Sequence, residues 1–380
     1  MLSATEIVDA AAQLAGAEPR RYEVLVPLVR IPQRARLAEP LSSWRTQAEV
    51  IAWLKRHGQD VSGVRAGGGF MFEFSARDPH SAVSQARPLV ERLVARSSFL
   101  RSRRGAIEPL HCVWVSGLIG PVPLATPARG ADILSLVHDG HLYRVDGPSQ
   151  QIDDALELAA PLNQGALAPA LASGWAAVES LLSNPDDPRE DGGKVAAADR
   201  LAAIVTCSWP RAELTSLAHH HKPAAGDELS LRIAGCATNR ERSRILAAAL
   251  QGEARLSFSS RRYGDSEEAA AERMRELLVD PSRTLRDVQD AFVVAIRRFY
   301  RARNIVLHGA SVRGVSLEAA LRTGAPLVGA GLDRITHAAL AEGLDPLDLA
   351  ARAEASLDLV GGETGLHVVD LLTKPGEAAA

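Results

Sequence analysis

The spacing of apolar and polar positions divides the chain into two regions of different character. In the first, RYEVLVPLVRI (21–31) is rich in β-branched residues and predicts a strand. WRTQAEVIAWLKRHG (44–58) has helical spacing at Trp44, Val50, Ile51 and Leu54, with Gly58 as its stop. GGFMFEFSARD (68–78) alternates Phe70, Phe72 and Phe74, as a half-buried strand does, and Pro79 then opens a long helix over SAVSQARPLVERLVAR. HCVWVSGL and DILSLVHDGHLYRVD predict further strands, the second with a hairpin turn at Asp139–Gly140. This strand–helix–strand–helix–strand order over residues 1–150 predicts an α+β domain, a split β–α–β drawn as a ferredoxin-like sandwich.

From about residue 155 the strand signal stops. Helical spacing predicts helices at 152–182, 194–208, 211–221, 227–250, 267–279, 284–308, 316–342 and 345–358. Between the first two, SNPDDPREDGG (183–193) has the Pro, Asp and Gly content of an exposed loop. No internal repeat of solenoid period is present.

Composition narrows the classes. A chain of 380 residues, 46% of them hydrophobic, can bury a core in each of two domains. The net charge of −3 gives no global field for nucleic acid, so any RNA site must be a local patch. Of 43 basic residues only Lys55, Lys194, Lys222 and Lys374 are lysines. Arginine suits bidentate phosphate contacts, though a bias of genome composition is the better explanation of the excess. Cys112, Cys207 and Cys236 are far apart and form no CxxC pair, so neither a disulfide framework nor a thiolate zinc site is expected. The N-terminal MLSATEIVDAAAQLAG reads as a short amphipathic helix and not as a signal peptide, and no apolar run reaches membrane-span length. A cytoplasmic protein with no membrane partner is expected.

One segment concentrates the candidate chemistry: TLRDVQDAFVVAIRRFYRARNIVLHGASVRG (284–314). Leu285, Val288, Phe292, Ala295, Phe299, Ala302 and Val306 form one continuous helical stripe, and Gly309 is a natural C′ residue. At about 100° per residue, Arg303 falls roughly 40° from Phe299, at the stripe's edge, while Asn304 and His308 share the other face. An arginine against a core needs a carboxylate or phosphate partner. His308 lies in the last turn, where the helix dipole favours a cation. No Asp or Glu occurs from Ala291 to Ser316, whereas Arg297, Arg298, Arg301, Arg303 and Arg313 all do. The chain therefore carries one compact basic strip, and it surrounds His308.

The string Arg303-Asn304-Ile305-Val306-Leu307-His308 has the R-N-x-x-x-H form of the HEPN signature. FYRARNIVLHG resembles the Tyr-x-x-Arg-Asn-x-x-x-His-Gly run of the Apea-like branch, which brings in Tyr300, and GWAAVESLL (174–182) is similar to that branch's earlier Trp-x-x-x-Glu helix. The resemblance covers roughly 160–310. It implies a HEPN-like helical bundle over 151–310; the helical spacing beyond it predicts a helical extension over 311–380. It also implies a homodimer in which two copies of the motif face one another, and a metal-independent endoribonuclease of toxin or anti-phage defence type with no cofactor. On that reading RNA is the substrate, with a defence-system protein as a further partner. His308 would act as general acid or base, Arg303 would stabilise phosphoryl charge and Asn304 would hold the pair. Glu179 and Tyr300 would support them, and Arg297, Arg298, Arg301 and Arg313 would hold RNA. Some members have a Tyr two residues after the His that a partner nucleotidyltransferase modifies; here that position is Ala310, so the resemblance does not carry that partner. Other members of the superfamily are inert binding modules, and a non-catalytic dimeric sensor or scaffold is the second expectation.

The remaining candidates are weighed against duller readings. Glu179 lies about 40° from Trp175 on its helix wheel, where an unpaired carboxylate is costly; it either orients Arg303 or sits at a wet rim. His219, His220 and His221 are adjacent, which suits a solvated helix end better than a metal site. GGK at 192–194 fails the phosphate-loop pattern, because position 188 is Pro and 195 is Val. Gly67–Gly69 and Gly329/Gly331 suit turns or close packing. Asp186, Asp187, Glu190 and Asp191 suit a solvated loop better than a cation site.

Overall fold

A computed structural model describes residues 4–30, 43–99, 107–125, 128–138, 140–143, 150–187, 192–252, 254–258, 264–308, 317–361 and 365–373. The chain forms two compact units, Met1–Pro127 and Ala128–Ala380.

The first unit runs α1 (Ala4–Gly16), β1 (Arg20–Arg30), β2 (Trp44–Thr46), α2 (Gln47–Arg56), β3 (Gly68–Ala76), α3 (Pro79–Ser98), β4 (Glu108–Pro109), β5 (Cys112–Val115) and β6 (Val122–Pro123). β1 is central. It pairs antiparallel with β3 through Val24↔Phe72 and with β5 through Val24↔Val115. β3 and β5 therefore run the same way on either side of β1, and α3 joins them as the expected split β–α–β. The ferredoxin-like sandwich is not formed, because the two long helices cover opposite faces. Val24 and Val26 pack with Ala82, Val83, Ala86 and Val90 of α3. Leu25 packs with Val50, Trp53 and Leu54 of α2. The run Val24-Leu25-Val26 is apolar on both sides of the pleat, so each face of the sheet needs its own cover. Gly69 is demanded by strand pairing: a Cβ there would stand 2.8 Å from the Val26 carbonyl oxygen.

The second unit is helical: α4 (Ser135–His138), α5 (Gln150–Ala159), α6 (Leu167–Leu182), α7 (Gly192–His220), α8 (Glu228–Ala234), α9 (Asn239–Gln251), α10 (Gly264–Val279), α11 (Pro281–Leu307), α12 (Leu317–Glu342) and α13 (Pro346–Leu359). α11 lies at the centre, packed against α6, α7, α10, α12 and α13. Phe299 is fully buried, with Leu285, Ile296 and Ala302 along the same helix. The rest of the expected stripe, Val288, Phe292, Ala295 and Val306, is half-buried.

Three expectations are corrected here. Among its described residues the strand expected over DILSLVHDGHLYRVD is not formed: residues 135–138 are helical, and Gly140 at φ +72° ends that turn with its N–H on the Val137 carbonyl. Asp139 lies outside the described residues. The segment joins the helical unit because Ser135 N–H donates to Asp333 Oδ1 at 2.7 Å and Arg129 Nη1 donates to the carbonyls of Pro161 and Leu162. The helices expected at 194–208 and 211–221 are one helix, α7, with Pro210 in its interior. Ile204 before the proline and Leu214 and Leu217 after it are all buried, so packing along both halves overrides the missing amide. The span 227–250 is instead two helices, because Thr238 and Glu241 make a capping box that starts α9 afresh. Gly329 and Gly331 serve close packing as expected: a Cβ on Gly329 would stand 2.6 Å from Ala131 Cα, and one on Gly331 would strike Leu201.

Candidate functional site

The two helices that carry the motif residues meet. Trp175 on α6 is fully buried, and the Tyr300 ring of α11 lies against it with centroids 4.9 Å apart at 41°. One turn along α6, Glu179 Oε2 accepts from Arg303 Nη2 at 3.3 Å. Arg303 Nη1 donates to Asn304 Oδ1 at 2.9 Å. The Arg303 and Glu179 side chains are 13% and 20% exposed, which makes this an ion pair largely withdrawn from water. The open alternative for Glu179 is thereby resolved in favour of pairing. At this contact the buried Arg303 Nε and Trp175 Nε1 have no acceptor among the described residues. A guanidinium with an idle, dry N–H is fixed by its surroundings more than by its bonds.

His308 ends α11 as its C-cap, with φ −94° and ψ 16°, and its N–H reaches the Asn304 carbonyl at 3.0 Å. It is exposed, and its ring has no hydrogen-bond or ion-pair partner among the described residues. The helix axis thus presents a buried guanidinium on one side and a free imidazole at its end. Chemically, the first can stabilise negative charge and the second can move a proton. Gly309, Ala310 and Arg313 lie outside the described residues.

The basic strip is partly neutralised, which the sequence did not reveal. Arg297 grips Asp199 of α7, with Nε 3.1 Å from Oδ1 and Nη2 2.7 Å from Oδ2. Arg297 is therefore an α7–α11 clamp as well as an RNA-contact candidate. Arg298 and Arg301 are exposed and have no ion pair among the described residues. Arg297, Tyr300 and Arg301 line, with Val195, an open pocket of about 330 Å³. Asp199 was missed because it lies 98 residues from Arg297 and belongs to no motif.

Two of the secondary candidates, His221 and Asp187, have structural roles. His221 is not a solvated helix end. Its side chain is fully covered, its Nδ1 accepts from Ser257 N–H at 3.1 Å, and its Nε2 faces Asp227 Oδ2 at 3.2 Å. That arrangement latches the 254–258 segment to the end of α7. His220 Nδ1 lies 3.3 Å from Glu267 Oε1, and His219 is exposed. In the acidic loop, Asp187 is held by Arg200 through two bonds of 2.8 and 2.7 Å. Arg200 holds that carboxyl below its ordinary value of 3.8. Glu190 and Asp191 lie outside the described residues. Among the described residues no group of three or more His, Cys, Asp or Glu could hold a metal, and no helix is long and apolar enough to cross a membrane. Comparison with protein-family models, with curated proteins and with solved structures found no match to this chain.

Proposed function

We propose that the helical unit is a HEPN-type, metal-independent endoribonuclease of a toxin or defence system, acting as a homodimer. One observation carries the reading: the Trp175/Glu179 helix and the Tyr300/Arg303/Asn304 helix, picked out by motif resemblance, are in contact, with Glu179 holding Arg303. In the reaction the ribose 2′-oxygen attacks its own phosphorus and the bond from phosphorus to the 5′-oxygen breaks. His308 takes the 2′-hydroxyl proton or gives one to the departing oxygen. Arg303 stabilises charge on the phosphoryl oxygens, and Asn304 fixes the guanidinium. Arg298, Arg301 and, through its outer face, Arg297 hold the RNA backbone. The products are a 2′,3′-cyclic phosphate and a 5′-hydroxyl.

The test is cleavage of total RNA by the purified chain in EDTA. His308→Ala abolishes cleavage and leaves the fold intact, since the residue is exposed at a helix end. Arg303→Lys does not rescue, because lysine lacks the planar fork. Loss of activity in EDTA, or normal cleavage by His308→Ala, overturns the assignment.

The second reading is an inert dimeric sensor or scaffold. It is favoured by the commitment of Arg297 to Asp199, which leaves one of the strip's charges already matched within the chain. Absence of cleavage in the same assay, with His308→Ala indistinguishable from wild type, selects it.

A further inference from the structure

The cavity between α7 and α11 is walled by one face of each helix. On α11, Arg297, Tyr300 and Arg301 are spaced by three and four residues and so share a side. On α7, Val195 and Asp199 are four apart, and that one face supplies both a wall of the cavity and the clamp on Arg297. The Tyr300 ring rests on fully buried Trp175, with centroids 4.9 Å apart, which makes it a fixed aromatic wall. A volume of about 330 Å³ is at the small end of the roughly 300–1,000 Å³ of ligand pockets, and suits a single nucleotide unit.

The two arginines of this cavity are not equivalent. Arg297 spends Nε and Nη2 on Asp199, at 3.1, 2.9 and 2.7 Å. Those two nitrogens are one fork of the kind that grips a phosphate in parallel bonds. Nη1 is left, with no hydrogen bond among the described residues. Asp199 offsets the charge of Arg297 and holds the plane of its guanidinium. An oriented N–H donor whose charge is already matched suits a neutral carbonyl oxygen better than a phosphate. Arg301 is exposed and has no hydrogen bond or ion pair among the described residues, so its whole fork remains for a phosphate.

We propose that this cavity is a base-reading subsite for a nucleobase with a carbonyl edge, guanine or uracil. Arg297 Nη1 donates to the carbonyl oxygen, the ring lies between Tyr300 and Val195, and Arg301 holds the adjoining phosphate. The inference rests on the RNA reading above, and it turns Arg297 from a backbone contact into a base contact. Guanine presents N7 and O6, and uracil presents O4, all of them acceptors. Adenine and cytosine turn an amino group to the same edge, where it meets the N–H of Arg297 donor to donor. Asp199 is the positioning residue of this discrimination.

The experiment is fluorescence anisotropy of the full chain in EDTA at constant ionic strength. The probes are 5′-labelled 2′-O-methyl oligocytidylates carrying one central guanine, uracil, hypoxanthine or adenine, and the all-cytosine strand. The blocked 2′-oxygen prevents cleavage by the route above, so binding is read apart from catalysis. The guanine, uracil and hypoxanthine probes bind about tenfold tighter than the other two. Hypoxanthine keeps O6 but lacks the exocyclic amine of guanine, which assigns the effect to the carbonyl. Arg297→Met binds every probe alike. Should that variant melt early, Arg297→Gln, whose amide still donates to Asp199, takes its place and shifts the preference toward adenine. Asp199→Asn frees the Arg297 fork, so every probe binds more tightly while the preference shrinks; a purely structural clamp does not give that pair of changes. Arg301→Met weakens all probes equally and lowers the salt slope by roughly 0.7. The inference is overturned if wild type binds all probes alike or none, or if folded Arg297→Met or Arg297→Gln keeps the carbonyl preference. Equal binding alongside cleavage of unmodified RNA sinks this subsite alone. A carbonyl preference in a chain that cleaves no RNA sinks the endonuclease reading and leaves the subsite standing.

Discussion

Replacing Glu179 by Ala tests the pairing at the motif directly. Exposed ion pairs contribute about 0–1 kcal/mol, whereas breaking a buried pair costs about 3–5 kcal/mol, because one charge is stranded. Arg303 at 13% exposure and Glu179 at 20% lie nearer the buried limit, but their single bond of 3.3 Å is long and not bidentate. The expected loss is therefore about 2 kcal/mol, or a fall of roughly 4–8 °C in melting temperature. Urea unfolding followed by helical circular dichroism reads it, since the helices are concentrated in the second unit. Arg303→Met and the double variant complete a cycle. With the guanidinium gone, Glu179→Ala should cost about 1 kcal/mol less or better than it does in wild type. The reasoning is refuted if Glu179→Ala changes stability by less than about 0.5 kcal/mol, or if the cycle shows no coupling.

Other outcomes follow from particular contacts. Asp187 has its carboxyl lowered by Arg200, so the stability it contributes is complete above its unfolded value near 3.8 and is lost as pH falls through the lower folded value. Asp187→Asn should accordingly flatten part of the melting-temperature decline below about pH 4 and change its slope little near neutrality. Gly324→Ala places a methyl group into Phe299, whose Cγ would stand 3.0 Å away. Overpacking of about 1–3 kcal/mol outweighs a helix-propensity gain of about 1 kcal/mol, so urea titration should show a net loss. The thiol of Cys207 is pushed up to about 12 by burial, and its Sγ donates to the Ala353 carbonyl at 3.4 Å. A disulfide-exchange reagent should leave Cys207 unlabelled in the native protein and label it after denaturation.

What could be read from the chain was what repeats along a helix. The stripe from Leu285 to Val306 specified a central helix because a 27-residue element carries enough periods for its buried face to be unmistakable. That Glu179 is costly unless paired was legible from its apolar helix face; the choice between Arg303 and a wet rim is open at that level and needed the contact between the two helices. The strand reading of 132–146 failed because the apolar residues there fit either period, and the choice was made by Asp333 and Gly329, nearly 200 residues away. The break assigned at Pro210 failed because proline's cost of about 3 kcal/mol is smaller than the burial along both halves of α7. Arg297–Asp199 and His221–Ser257 were illegible for the same reason: each joins elements whose neighbourhood is set by the whole bundle.

The close approaches along α12 carry a kinetic consequence. Gly324 sits under Phe299, Gly331 under Leu201 and Gly329 against the main chain at Ala131, so each glycine is fixed by a neighbour's bulk. Together with Pro326 they also make the segment a poor helix on its own, by about 1 kcal/mol for each glycine and about 3 kcal/mol for the proline relative to alanine. α12 therefore cannot template its neighbours; its surroundings must form first. During synthesis α6, α7 and α11 emerge before it, and until Leu317–Glu342 docks, the Phe299 side of α11 remains open. A chain in which α12 docks late would leave Phe299 uncovered until it does, a surface that favours exchange of α12 between two chains.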